Sequence, residues 1–388
     1  NEGVTTTAQI LQRVTGNQST INAASSVGSS SGGASFADMR GIGSNKTLVL
    51  LNGRRLGNNA IDGSAVDINT IPFAAIDRVE ILRDGASALY GTDAIGGGIN
   101  FITKKSLTDG TPTLGGEAPG HSGGGNSHDL NASWGYGDLE QDRFNVFGVI
   151  GYNKQDSLKA TDRSFSKSYV PGRGLDQTSG VSYPANYSQN GVTTNPLSAS
   201  NCDGPNLVAR QGVCRYNTRT YLDLLPETEK TSFFGRATGK ITDDDNVNLE
   251  YFWARNNNSV NIAPANLVGV TLDPTSPYFP GNGITPGSTS ASFDPSQPVG
   301  LNWRETAAGG RSTKDQNTSQ RVVLSFDGVA KGWDYNLGAS YNQNQVTESL
   351  TGGFVSDSAM LDGIANGIIN PFGPQSAAGQ RLIDASQY

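Results

Sequence analysis

Few side chains in this sequence are of kinds that make or break bonds. Its 388 residues include two cysteines, two histidines and two methionines. Cys202 and Cys214 are too far apart for a C-x-x-C zinc or redox pair. They form a disulfide or stay a free pair, as the redox compartment dictates. His121 and His128 fall in or beside a Gly/Ser-rich stretch and read as solvated residues rather than metal ligands or a catalytic base. Glycines at Gly85, Gly91 and Gly96-Gly97-Gly98 suggest a phosphate cradle, but their spacing fits neither G-x-G-x-x-G nor G-x-x-x-x-G-K-[ST]. They read as turns and close backbone approach. The acidic residues are scattered, with no carboxylate pair on a recognisable cleft. No enzyme, cofactor or metal centre is expected.

The bulk properties narrow the class further. Net charge is −7 and there is no basic block, which argues against a nucleic-acid partner. Hydrophobic residues make up 35%, below the usual globular share of roughly 45–50%. No apolar run approaches the roughly 20 residues of a membrane-spanning helix. A membrane-spanning strand needs apolar residues only at alternate positions, so a transmembrane barrel stays open. The chain begins at Asn1 with no signal segment, so the numbering is expected to start after one or further inside a precursor.

Residues 1–105 mix short helix and strand patterns. Thr7 to Val14 reads as a short helix. Thr47 to Leu51 is a buried strand stopped by Asn52-Gly53. Thr70-Ile-Pro72 opens a short helix through about Ile76. Arg78 to Arg83 alternates as a strand, Asp84 caps a helical turn over Ala86 to Tyr90, and Gly98 to Thr103 is a further strand. This is a small α+β domain. Residues 106–126 are rich in Gly, Pro and Ser and read as a linker.

Residues 127–388 read as β throughout. Six strands are expected: His128 to Trp134, Phe144 to Tyr152, Thr231 to Thr242, Val247 to Ala254, Val322 to Asp327 and Trp333 to Asn342. Their alternation puts Phe144, Ile150, Tyr251, Trp253, Trp333 and Leu337 on one face and Asn145, Glu250 and Asn336 on the other. Connections at 135–142, 243–245 and 328–332 are short, whereas 154–230 and 257–317 are long. Alternating short turns and long loops is the layout of an antiparallel, up-and-down transmembrane β-barrel, with aromatics such as Trp134 and Trp333 in its interfacial girdles.

The stretch Met39 to Lys105 resembles the plug of TonB-dependent outer-membrane transporters. Met39-Arg-Gly41 is similar to the family's RG element, and Lys46-Thr-Leu-Val-Leu-Leu-Asn-Gly-Arg-Arg55 to its RTLVLLDGRR block. Val66 to Pro72, Ile76 to Gly85, Ala86 to Gly91 and Ala94 to Lys104 match the following blocks in order. The resemblance implies a plug in the lumen of a 22-stranded barrel, of which this chain carries about six to seven strands. It also implies a longer protein, because no TonB box precedes the plug and six strands cannot close around it.

By the same resemblance, Arg40 and Arg83 hold positions at which the family has arginines that pair with barrel glutamates and lock plug to wall. The carboxylates are expected beyond Tyr388, and local pairing, for example of Arg83 with Glu80, is the alternative. Gly53 to Ala65, with Arg54, Arg55, Asn58 and Asn59, resembles the plug apex that meets ligand. Periplasm and cell surface permit disulfides, so Cys202 and Cys214 are expected to be bonded, a gain of about 3 kcal/mol for a loop of this size. The implied function is import of a scarce nutrient, a ferric siderophore, oligosaccharide or similar. Import would be driven by the proton-motive force through TonB with ExbB–ExbD. Outer-membrane lipid and lipopolysaccharide, and a surface lipoprotein, are the further expected partners. The alternatives are a surface-exposed β-rich binding or structural protein, or a passive porin.

Overall fold

The computed structural model describes residues 4, 6–18, 33–61, 63–85 and 87–388. Ala86, expected to open a helical turn, and Asp62 of the loop 53–65 lie outside them. The chain divides into two compact units: Asn1–Leu158, Leu224–Ser259 and Lys314–Glu348 form one, and Lys159–Asp223, Val260–Thr313 and Ser349–Tyr388 the other. No described helix is long and apolar enough to cross a membrane.

The first unit opens with α1 (Thr7–Gln12). The Thr6 and Gln9 side chains each satisfy the other's backbone N–H, a capping box that fixes the start of this short helix. Leu11 is the residue that the helix buries most deeply. A mixed sheet follows, built from β1 (Thr47–Leu51), β2 (Arg54–Arg55), β3 (Ile76–Leu82) and β4 (Gly97–Thr103) in the order β2-β1-β4-β3. β1 runs parallel to β4, and both are almost wholly buried, which is why β1 reads as an unbroken apolar run rather than an alternating one. The helix expected up to Ile76 is instead two 3-10 turns, Ile68–Thr70 and Phe73–Ala75, and Ile76 already belongs to β3. Pro72 lies between the turns, where it cannot donate the hydrogen bond that would join them.

A seven-stranded meander completes this unit: β5 (Gly110–Glu117), β6 (Ser127–Tyr136), β7 (Phe144–Gln155), β8 (Glu227–Lys240), β9 (Asn246–Ile262), β10 (Arg311–Ala330) and β11 (Trp333–Gly352), paired in chain order. β5 occupies residues read from the sequence as linker. It is an edge strand with every residue exposed, and its glycines and Pro112 hide the alternation of a half-buried strand. Elsewhere the alternation is plain. Asn145, Phe147 and Val149 are buried while Phe144, Val146 and Ile150 are exposed. Tyr251, Trp333 and Leu337 share the exposed face, Glu250 the buried one, and Trp253 is half-buried with the Arg255 guanidinium over its ring.

The buried face of the meander and the mixed sheet form one apolar core. Phe147, Val149, Phe234 and Phe252 pack with Leu11, Met39, Leu51, Ile68, Ile71 and Phe101. Phe234 stands opposite Val149 on one neighbouring strand and Phe252 on the other, and its ring centroid lies 5.9 Å from that of Phe147. Each such side chain contributes about 1.5–3 kcal/mol by leaving water.

The second unit is folded around its own core, although its segments read from the sequence as long loops. Val192–Thr194, Asn186–Gln189, Val299–Arg304 and Asn266–Leu272 form an antiparallel sheet in that order. Two helices join it, α2 (Asp357–Ala365) and α3 (Ala377–Ala385), capped by Ser356 and Ser376. Trp303, Phe279, Leu301, Met360, Ile364 and Ile383 fill the interior. Cys202 and Cys214 are joined in a disulfide.

Candidate functional site

The β1–β2 hairpin turns on Asn52 and Gly53, both at positive φ (53° and 73°), the pattern of a two-residue I′ turn. That backbone geometry carries the Asn52 side chain to the meander. Its Nδ2 donates to Glu250 Oε1 and Oε2 at 3.1 and 3.2 Å and to Thr103 Oγ1 at 2.9 Å, while its Oδ1 accepts from the Thr103 N–H at 2.9 Å. Glu250 is 7% exposed and pairs with Arg236 at 3.3 Å. Arg236 in turn donates to Asn248, which donates to Asp327 at 2.6 Å. Each buried charge thus has a counter-charge or hydrogen-bonded partner, without which burial is costly. Arg321, 1% exposed, donates to the Leu51 carbonyl. A cavity of about 470 Å³ adjoins these contacts, lined among others by Arg54, Arg78, Glu80, Arg236 and Asp327.

A second polar zone centres on Asp67, which is 1% exposed. It caps the turn Ile68–Thr70, accepting from Asn69 N at 3.0 Å, and it also accepts from Ser35 N at 3.0 Å and from Asn317 Nδ2 at 2.6 Å. Burial pushes its carboxyl above the ordinary value, while these bonds and the nearby Lys230 ammonium pull it back. Lys230 itself donates to Asn69 Oδ1 at 2.7 Å.

The N-terminal domain is therefore held against a β-meander by an apolar core flanked by polar contacts. Residues 1–98 match the sequence profile of the TonB-dependent receptor plug domain. This domain is a plug of the TonB-dependent receptors. The chain is 40% identical over 107 residues to a vitamin B12 transporter of Vibrio cholerae serotype O1, a match spanning 27% of this chain and 16% of that protein. It is 43% identical over 81 residues to an iron-regulated outer membrane virulence protein of the same species, across 19% and 12% of the two chains. Among solved structures, a mutant ferric enterobactin receptor of Pseudomonas aeruginosa aligns with TM-score 0.43 and 14% identity, covering 90% of this chain and 57% of that one. The chain thus spans only part of the length of the relatives it matches. Within the first unit, this plug domain is set against an antiparallel seven-stranded meander.

Within that frame the residues singled out from the sequence have separate fates. Arg40 is exposed and donates to the Arg83 carbonyl at 2.6 Å and to Asp84 at 3.1 Å. Arg83 is exposed as well. Glu80 pairs with Arg78, not with Arg83. Among the described residues no wall carboxylate lies within ion-pair distance of Arg40 or Arg83. Of the apex residues, Arg54 donates to Asn336 on β11 at 2.5 Å. Gly338 makes that reach possible, because a Cβ there would lie 2.5 Å from the guanidinium. Arg55 is bound to Asp93 and to the Tyr90 carbonyl. Asn59 is 1% exposed and shapes the loop from within, its carbonyl accepting from the Gly63 N–H at 2.7 Å. All three are hydrogen-bonded within the plug or to the meander. Asn58 stays exposed, its amide bonded to the Gly63 carbonyl.

Asn52, Asp67, Lys230 and Asn317 were not singled out from the sequence. Their signal was available in part, since a polar residue at an inward position of an alternating strand needs a partner inside. The partner itself lies far away in sequence and has no local signature.

Proposed function

We propose that this chain is the plug and the first wall strands of a receptor that imports a scarce nutrient across the outer membrane. The observation that carries the reading is the plug's core, which is continuous with the inner face of the wall. A filled lumen blocks diffusion, so import needs the plug to move. TonB, with ExbB–ExbD, would supply that work from the proton-motive force by acting on a segment N-terminal to the plug. The nutrient, a ferric siderophore, a corrinoid, an oligosaccharide or similar, would meet the plug apex around Arg54, Arg55, Asn58 and Asn59; the disulfide of the second unit suits an oxidising cell surface. In the intact receptor Arg40 and Arg83 would pair with wall carboxylates, and Arg40→Ala or Arg83→Ala would then leak antibiotics through the outer membrane. Lipopolysaccharide would surround the wall, and a surface lipoprotein is a candidate partner over the loops.

The test identifies, by mass spectrometry, ligand that co-purifies with the receptor. It then measures binding and uptake of that ligand in cells with and without TonB, and with a proton uncoupler. Binding should survive and uptake should stop. Uptake at a normal rate in both conditions would reject active transport and favour a passive porin; binding with no uptake in any condition would favour a surface-binding protein.

A further inference from the structure

One hydrogen-bonded path leaves the plug apex, crosses two wall strands and returns to the plug near its N-terminal end. The Ala60 N–H donates to Asn344 Oδ1 at 2.8 Å. Asn344 Nδ2 donates to Asn317 Oδ1 at 2.7 Å, and Asn317 Nδ2 donates to Asp67 Oδ2 at 2.6 Å. Every donor points the same way and the path ends on a buried carboxylate, so each bond polarises the next. The other oxygen of Asp67 holds the Ser35 and Asn69 N–H groups, and the Asn69 side chain donates to Ser35 Oγ at 2.9 Å. Ser35 opens onto the buried run Phe36 to Met39. That run is pinned to residues 16–18: Gln18 N donates to the Asp38 carbonyl at 2.8 Å, and Arg40 N to the Gly16 carbonyl at 2.6 Å.

We propose that Asn344 and Asn317 are coupling residues, which make the hold of Asp67 on Ser35 depend on where the apex loop sits. When the loop lifts Ala60 from Asn344, the Asn344 amide loses the bond that orients it. Asn317 then loses its donor, and Asp67 loses the shortest of its three bonds. The carboxylate becomes free to turn, and the Ser35 N–H loses its hold, which weakens one of the bonds that fix Ser35 at the head of the run Phe36 to Met39. The route runs through the wall, so a rigid plug interior is no obstacle to it. The proposal rests on the reading of the chain as an importer, with ligand at the apex and pull at the N-terminal end, but its geometry is testable without ligand or energy.

The experiment is amide hydrogen exchange on the purified full-length receptor in lipid nanodiscs, comparing wild type with Asn344→Ala, Asn317→Ala, the double variant and Asn344→Asp. Heat-modifiable gel mobility checks that each barrel is folded. Asn344→Asp is the guard against general disruption, because it keeps an acceptor for Ala60 but cannot donate to Asn317. The relay predicts that the Ser35 and Asn69 amides exchange about fivefold faster in each single variant, the change expected for one lost intramolecular hydrogen bond. The double variant should be no faster than Asn317→Ala alone. In Asn344→Asp, residues 57–63 should keep wild-type exchange while Ser35 accelerates. Effects confined to residues 57–63, or effects that add in the double variant, overturn the relay. Uptake measured in parallel separates the two ideas: loss of TonB dependence with the exchange pattern intact refutes the importer and leaves the relay standing.

Discussion

Replacing Asn52 with glycine removes one side chain from the contact between plug and wall without disturbing the turn, since glycine adopts a φ of 53° freely. Two losses follow. The bonds from Nδ2 to the Glu250 carboxylate at 3.1 and 3.2 Å disappear, and a hydrogen bond to a charged group is worth about 1.5–3 kcal/mol. The Thr103 N–H, held by Oδ1 at 2.9 Å, loses its acceptor, at a cost of about 1–3 kcal/mol where water cannot reach it. Here water can enter, because the cavity of about 470 Å³ is lined by Asn52, Thr103 and Glu250. The second loss is therefore small, and the total is about 2–3 kcal/mol. At about 1.4 kcal/mol per factor of ten, opening of this corner of the plug becomes roughly 30- to 150-fold easier. Hydrogen exchange at Thr103 and along β4 in the full-length receptor reads that number. Exchange within about threefold of wild type would show that Asn52 does not tether the plug at Glu250. The control Glu250→Gln keeps an acceptor for Asn52 but unpairs Arg236, so it should disturb the wall more than Thr103.

Three further outcomes follow from other parts of the molecule. Leu337→Arg puts a charge on the outward face at a position 65% exposed; it should cost about 2–4 kcal/mol if it lies near the bilayer midplane, measured by refolding into lipid vesicles, and an unaffected midpoint would reverse the assigned face. Cys202→Ser with Cys214→Ser should destabilise the disulfide loop by about 3 kcal/mol and speed its proteolysis, while leaving the plug's protease pattern unchanged. The Arg55 guanidinium holds the Asp93 carboxyl below its ordinary range. A depressed acid contributes stability that is fully present above its unfolded pKa of about 3.9 and is lost as pH falls through the lower folded value. Acid unfolding of the plug below about pH 4 should therefore lose part of its steepness in Asp93→Asn, though modestly, because the pair is partly exposed.

What the sequence made legible depended on whether the controlling contacts were local. The wall strands declared themselves because burial on one face imposes period two, as in Phe144 to Ile150, where a one-residue slip would expose Phe147 and Val149. β1 was legible for the opposite reason, as a strand buried on both faces. β5 was not, since an edge strand with every residue exposed is held by backbone bonds that leave no side-chain pattern. The second unit stayed hidden because its sheet pairs Tyr187 with Leu301 across more than a hundred residues, and its apolar residues are spread among Pro, Gly and Ser. The protein partners of the apex arginines were hidden for a related reason. Composition showed that Arg54 and Arg55 were polar and in a turn; only the fold shows that Asn336 and Asp93 had already engaged them.

Phe147, Val149, Phe234 and Phe252 belong to the same apolar core as Leu51 and Phe101, and this bears on modularity. The plug shares its interior with β7, β8 and β9 instead of owning it. A plug transplanted into another receptor would bring only part of its interior with it. Grafts between receptors should therefore succeed when the junction falls after β11, which also keeps the Asn317, Arg321, Asn336 and Asn344 contacts, and fail when it falls after residue 105. The same sharing makes the heritable piece larger than the plug: substitutions on the inward positions of three wall strands and on the plug face beneath them should be accepted in compensating sets.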